Sequence, residues 1–76
     1  MLTKTIYIYP NLIGMMAANG DTISSLAIEM KMGYQALSAR LRGKKSFELP
    51  EIYYLLHKYQ KNLEYLFSTK SDQKAG

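Results

Sequence analysis

Residues 22–44 read TISSLAIEMKMGYQALSARLRGK, and this stretch carries the clearest helical pattern in the chain. Thr22 is a typical N-cap residue, and the apolar residues that follow it recur at the spacing of an α-helix. The sequence KMG at positions 31–33 interrupts this pattern. The pattern resumes at Tyr34 and stops at Gly43, a residue type that is common just after helix ends. We therefore predict two short helices joined by a three-residue turn.

The flanking sequence predicts three further helices. Asn11 is predicted to be the N-cap of a helix that ends at Asn19-Gly20, and Pro50 fits the first turn of a helix that continues to Tyr59. Asn62 then caps a single final turn, and residues 46–49 are expected to form a loop that buries Phe47 and Leu49. The inward-facing side chains predicted from helical spacing are Leu12, Met16, Leu26, Ala27, Met30, Leu37, Leu41, Ile52, Leu55, Leu56, Tyr59, Leu66 and Phe67.

The chain is expected to form one domain, over residues 10–67. Residues 1–9 are predicted to be an extended arm, because strand-forming side chains precede Pro10. Residues 68–76 are polar and are predicted to be a disordered tail.

Length and composition exclude several classes of protein. The 76 residues contain no cysteine, and 47% of them are hydrophobic, so apolar packing rather than disulfides must hold the fold. The longest apolar run covers residues 12–18, far short of the roughly 20 residues that a membrane-spanning helix needs. We expect a cytoplasmic protein with no membrane partner.

The excess positive charge is confined to one segment. The formal net charge is +4, and residues 31–46 contain five cations and no acid: Lys31, Arg40, Arg42, Lys44 and Lys45. A localised basic patch on a small domain is typical of proteins that bind a polyanion. A solvated basic face without a partner is the alternative.

The two central helices resemble a helix-turn-helix motif, with the small Ala27 where the helices cross and Leu37 packing onto it. The flanking sequences YPNL, at residues 9–12, and GKKSFELPEIYYLLHKYQKNLEYLFS, at residues 43–68, extend the resemblance over nearly the whole chain. It is to the lambda-repressor and Cro family, and more narrowly to the small Cro-like or modulator-of-repression (antirepressor) proteins of temperate phages of Gram-positive bacteria. The resemblance implies an all-α, compact five-helix lambda-repressor-like domain with its helix-turn-helix at residues 22–42.

The resemblance also implies a DNA-binding site, because the second helix of this motif enters the major groove. Gln35 is the best candidate reader, since its amide can pair with adenine N6 and N7. The candidates for reading bases are Tyr34, Gln35, Ser38, Ala39 and Arg42. The candidates for contacting phosphates are Thr22, Arg40, Lys44 and Lys45, with Arg42 also near them at the far end of the helix.

The chain departs from the family pattern at three positions. Lys31 stands where the family usually has a glycine in the left-handed conformation, which costs roughly 1 kcal/mol. Gly33 replaces the usual Ser or Thr at the N-cap of the reading helix, and Ala39 offers only a methyl group where a polar reader is common.

Large apolar side chains also stand where such domains commonly have polar surface residues: Ile13, Met15, Ile23 and Ile28. They indicate either a surface patch that binds a partner or a core that is larger or rotated, covered in part by the arm.

Two functional hypotheses follow, both in a phage lysis–lysogeny switch inside a bacterial host cell. The first is a modulator or antirepressor that binds the DNA-binding domain of a partner repressor and alters its operator binding. The second is a Cro-like dimeric repressor that reads double-stranded operator DNA directly with helix 34–42. The isoleucines and the sparse reading helix slightly favour the first.

No enzyme is expected. His57 is the only histidine, and the sequence holds no phosphate-binding glycine loop and no usefully spaced carboxylate pair. We expect no cofactor, no metal and no small-molecule substrate.

Overall fold

Five α-helices follow one another along residues 6–70, the part of the chain that the computed structural model describes. They are α1 Pro10–Ala18, α2 Ile23–Glu29, α3 Tyr34–Leu41, α4 Leu49–Tyr59 and α5 Leu63–Leu66. No strand occurs within these residues. The prediction of an all-helical domain with five short helices is therefore confirmed.

A single apolar core joins all five helices. Every helix contributes at least one leucine that is fully buried, namely Leu12, Leu26, Leu37, Leu41, Leu55 and Leu66. Met16, Ala27 and Tyr59 complete the buried set. Helical spacing predicts each of these nine residues correctly. Burying one leucine side chain contributes about 1.5–3 kcal/mol, so the core is the main source of stability in a chain without disulfides.

Two helices begin earlier than the sequence predicts. Helix α1 starts at Pro10, and Asn11 is not its cap but a buried residue inside it, whose side-chain amide donates to the Tyr65 carbonyl oxygen at 3.0 Å. Helix α4 starts at Leu49, because Glu48 caps it together with Glu51. The prediction that a loop buries Leu49 is wrong, since this side chain is helical and 58% exposed.

The arm packs on the segment that follows α3. The amide of Ile8 donates to the Leu41 carbonyl oxygen at 3.0 Å. The Tyr9 ring lies 5.9 Å from Phe47 and 5.3 Å from Phe67 between ring centroids, and these tilted and edge-on contacts are favourable. Residues 6–9 form neither helix nor strand, and residues 1–5 of the arm and 71–76 of the tail lie outside the described residues.

Candidate nucleic-acid interface

Helix α2 begins with a reciprocal capping pair. The Thr22 hydroxyl oxygen accepts a hydrogen bond from the Ser25 amide at 3.0 Å, and the Thr22 amide donates to Ser25 Oγ at 2.9 Å. This arrangement satisfies two of the amides that a helix start leaves unpaired. Thr22 itself is exposed, and its hydroxyl keeps a proton that it can donate to a phosphate.

The turn between α2 and α3 has a left-handed residue at the position that the resemblance implies. Lys31 has a φ of 60°, and the next amide, that of Met32, donates back to the Ala27 carbonyl oxygen at 2.9 Å. Gly33 is the N-cap of α3 and supplies no side-chain bond. Lys31 is therefore the left-handed residue of the turn, and Gly33 is the N-cap of α3, which are two of the positions at which the sequence departs from the pattern it resembles.

Three of the five base-reading candidates share one face of α3. Gln35, Ala39 and Arg42 follow at intervals of four and three residues, which places them above one another along the helix. Gln35 is exposed, and Tyr34 is half-exposed beside it at the start of the helix. The prediction for Ser38 is wrong, because its side chain is buried and only 8% exposed.

The Arg42 side chain is hydrogen-bonded to Ser38, one turn earlier in α3. Its Nε atom donates to Ser38 Oγ at 3.2 Å and to the Ser38 carbonyl oxygen at 3.3 Å. No carboxylate of the described residues pairs with Arg42. The guanidinium is therefore held at the end of α3 with its charge uncompensated.

Arg40 is not a phosphate contact, which corrects the prediction from sequence. Its Nε atom lies 2.8 Å from Glu51 Oε1, and a second nitrogen donates to the Ala36 carbonyl oxygen at 3.1 Å. The residue is buried between α3 and α4. Its charge is paired with that of Glu51, and the ion pair links α3 to α4.

Lys44 and Lys45 extend from the loop after α3. Their amides both donate to the Ala39 carbonyl oxygen, at 2.9 and 3.3 Å, which turns the chain back against the end of the helix. Both side chains are exposed, and neither forms an ion pair with a described residue. We call Arg42, Lys44 and Lys45 the basic cluster.

The fifth cation of the basic segment lies elsewhere. Lys31 lines a shallow groove of about 250 Å³ between the end of α2 and the start of α4, with Glu29, Glu51 and Tyr54 among the other lining residues. The five cations of the segment are therefore divided between three places. Of these places, only the basic cluster is a concentrated positive surface.

A polar network fixes α2 against α4. Lys58 Nζ lies 3.0 Å from Glu29 Oε1 and 3.6 Å from Asp21 Oδ2, and the Tyr59 hydroxyl donates to Asp21 at 2.6 Å. The Tyr54 hydroxyl donates a hydrogen bond to Glu29. These contacts could not be predicted from the sequence, because the partners are far apart in the chain.

The network shifts the pKa values of several of its members. Hydrogen bonds from Tyr54 and Lys58 lower the pKa of Glu29 below its ordinary value. The bond to Glu29 raises the pKa of both Tyr54 and Lys58. Burial, and then the bond to Asp21, raises the pKa of Tyr59. At neutral pH the Glu29 carboxylate is charged and the two phenols are protonated, which keeps α2 fixed in place.

The four apolar candidates do not form one exposed patch. Ile13, Met15 and Ile23 are half-buried and pack against the core, as the alternative of a larger core predicts. Ile28 differs, with 77% of its surface exposed on α2. The surface patch inferred from sequence is thus reduced to a single residue.

Residues 6–70 hold no group of three or more His, Cys, Asp and Glu side chains arranged to bind a metal ion. Over the same residues, no helix is both long and apolar enough to cross a membrane. No family model, no curated protein and no solved structure matches this chain.

Proposed function

We propose that this chain is a sequence-specific DNA-binding regulator of transcription. In this proposal α2 and α3 act as a helix-turn-helix, and α3 lies in the major groove of double-stranded DNA. The observation that carries the proposal is the position of the basic cluster at one end of α3, with Tyr34 and Gln35 exposed at the other. A helix with exposed polar readers and adjacent uncompensated cations suits a groove lined by phosphates.

Each of these surface residues, and the half-buried Ala39, has a distinct role in this proposal. The Gln35 amide pairs with N6 and N7 of an adenine, and Tyr34 packs on a thymine methyl or donates to a phosphate. Ala39 presents a methyl group, which allows the helix to approach the bases closely. Lys44 and Lys45 contact phosphates, which fixes the register of the helix without reading sequence.

A single copy of α3 contacts too few bases for tight and specific binding. We therefore propose that the protein binds as a homodimer to two half-sites about one helical turn apart. The resemblance to small phage regulators supports a role for this activity in a lysis–lysogeny switch, in the cytoplasm of a bacterial host.

The test is fluorescence anisotropy on the intergenic DNA beside the gene of this protein. We expect tight binding that excess non-specific DNA does not displace. Gln35→Ala should cost about 1–3 kcal/mol on the preferred site and almost nothing on non-specific DNA. Lys44→Ala is the matched comparison, because it should weaken binding to both DNAs equally. Equal competition by any DNA sequence would refute sequence-specific reading.

A second candidate function is a modulator or antirepressor that binds the DNA-binding domain of a partner repressor. The sequence alone slightly favours this function, but three of its four supporting side chains pack against the core. The exposed Ile28 is the observation that still supports it, since a large apolar side chain in water is suited to a protein contact.

The second candidate is tested by adding the N-terminal domain of the neighbouring repressor to the same anisotropy experiment. If this function is correct, the protein alone binds no specific DNA but changes the complex of the repressor with its operator. Ile28→Asp should abolish that change. Ile28→Val, which keeps an apolar side chain, is the control and should preserve it. Binding of the operator by the protein alone, unaffected by Ile28→Asp, would exclude this route.

A further inference from the structure

The outer face of α3 ends in an arginine whose side chain is already partly ordered. Arg42 continues the right-handed helical conformation at the C-cap, so it lies on the same face as Gln35 and Ala39. Because Ala39 has only a methyl group, no long side chain stands between Gln35 and Arg42 on this face.

Ser38 restricts the position of the Arg42 guanidinium. The Oγ and carbonyl oxygen of Ser38 both accept from Nε, at 3.2 and 3.3 Å, which occupies one edge of the group. The two terminal nitrogens have no hydrogen-bond partner among residues 6–70. A planar fork with two free donor nitrogens matches the two acceptors, O6 and N7, that guanine presents in the major groove.

The contrast with neighbouring cations supports a reading role for Arg42. Arg40 is neutralised by Glu51 at 2.8 Å and is not available. Lys44 and Lys45 are exposed ammonium groups on flexible stems beyond the end of the helix, and they are sufficient for phosphate contacts. Among the cations of the basic segment, Arg42 alone combines a place on the reading face with a side chain whose rotamers are restricted before DNA binds.

We propose that Arg42 recognises a guanine through its two terminal nitrogens, and that Ser38 is the positioning residue for this contact. The inference rests on the proposed function and adds to it a base preference. Arg42 follows Gln35 by seven positions, which is about 10 Å along a helix axis. Successive base pairs are about 3.4 Å apart. For α3 lying along the major groove, the half-site therefore carries a guanine within about three base pairs of the adenine that Gln35 reads.

The experiment is selection of duplexes from a random-sequence DNA pool by the full chain, followed by affinity measurements on point variants of the selected site. We expect a guanine at the stated distance from an adenine. Arg42→Lys keeps the charge but loses the fork, so discrimination for guanine at that position should fall by about 5- to 150-fold. Discrimination at the adenine should be unchanged, and so should the dependence of affinity on salt.

Ser38→Ala tests the positioning role. It should reduce discrimination at the guanine alone, by less than Arg42→Lys does, and Ser38→Thr should restore it by returning the hydroxyl. Circular dichroism and a thermal melt establish that each variant is folded. Lys44→Ala is the control, since it should lower affinity for all duplexes without changing base preference.

The possible failures are distinguishable. If the wild-type chain selects no sequence, both the DNA-reading function and the assignment of Arg42 are wrong. If it selects a site at which Arg42→Lys weakens all base variants equally, DNA reading stands and Arg42 is a phosphate contact. If Ser38→Ala leaves the preference for guanine unchanged while Arg42→Lys removes it, the positioning role of Ser38 is wrong.

Discussion

The Nε atom of Arg40 lies 2.8 Å from Oε1 of Glu51, and this pair joins the middle of the chain to the start of α4. The same Glu51 oxygen accepts the Glu48 amide at 2.9 Å, so one carboxylate both caps α4 and binds α3. The pair orients the outer face of α3 and, at the same time, removes one cation from the surface available to DNA.

Loss of the Glu51 charge should destabilise the fold. Glu51→Gln leaves Arg40 largely buried without a counter-charge, and we expect the free energy of unfolding to fall by about 1–3 kcal/mol. The double variant Arg40→Met with Glu51→Gln should recover part of this loss, because it leaves no unpaired buried charge. Urea denaturation measures the free energy of unfolding of the wild type, of Glu51→Gln and of the double variant. A double variant that is no more stable than Glu51→Gln would contradict this explanation.

Replacing the left-handed lysine should stabilise the protein. Lys31 has a φ of 60°, a conformation that glycine adopts without the steric cost that a Cβ atom brings. Lys31→Gly is expected to raise the free energy of unfolding by about 0.5–1 kcal/mol. Ser24→Gly is the matched control, since Ser24 is exposed inside right-handed α2 and the change should be destabilising. Thermal melts in which both changes destabilise the protein would argue against strain at Lys31.

Stability should fall in acid through Glu29. Hydrogen bonds from Tyr54 and Lys58 lower its pKa below the ordinary value of 4.5, so the folded chain holds this proton more weakly than the unfolded chain does. Its contribution is therefore complete above pH 4.5 and disappears as the pH falls through the lower, folded value. Melting temperatures between about pH 6 and pH 3 should decline less for Glu29→Gln than for the wild type. If the melting temperatures of the wild type and Glu29→Gln decline equally with falling pH, Glu29 makes no pH-dependent contribution to stability.

The basic cluster should set the salt dependence of DNA binding. Lys44→Ala and Lys45→Ala should each reduce the slope of log affinity against log salt by about 0.9, the value for one phosphate contact. Arg40→Met should leave the slope unchanged, because Glu51 already neutralises Arg40. Lys61→Ala, whose ammonium lies 5.2 Å from the Tyr65 ring centroid in the α5 region, serves as a further control. Anisotropy titrations at several salt concentrations measure the slopes, and a lower slope for Arg40→Met would reverse its assignment.

A methyl group at Gly43 should disturb the contact between the arm and the loop after α3. Gly43 has a φ of 82°, and a Cβ atom there would lie 2.8 Å from Ile8 Cδ1. Gly43→Ala should lower the free energy of unfolding by about 1–3 kcal/mol. Adding Ile8→Ala should relieve the clash but not the backbone strain.

The control for Gly43 is Gly14, which lies in α1 where an added Cβ atom would meet no neighbouring side chain or element within 4 Å. Gly14→Ala should raise the free energy of unfolding by about 0.5–1 kcal/mol, because alanine favours helix. Equal effects of the two alanines in thermal melts would show that Ile8 does not pack on Gly43.

Helical spacing and turn chemistry were sufficient to predict most of the fold. The nine core residues, the stop at Gly43 and the cap at Asn62 follow from local preferences, since each depends on residues within one or two turns. The left-handed turn at Lys31 was implied by the resemblance and not by the local preference of lysine, which disfavours that conformation. The predicted helix starts were less accurate. Asn11, predicted to be an N-cap, lies inside α1 because its side chain binds Tyr65, a partner more than fifty positions away.

Local sequence was enough to specify five short helices around a leucine core and a concentration of positive charge near α3. Which of those charges remain at the surface depends on tertiary packing, because Arg40 pairs with Glu51 and Lys31 lines the groove beside α4. The same packing buries Ser38, brings three of the four apolar candidates against the core and leaves Ile28 exposed. The physical reason is that helical periodicity gives the direction in which a side chain leaves its own helix. Its burial and its charge pairing depend on which side chains the neighbouring helices place against it.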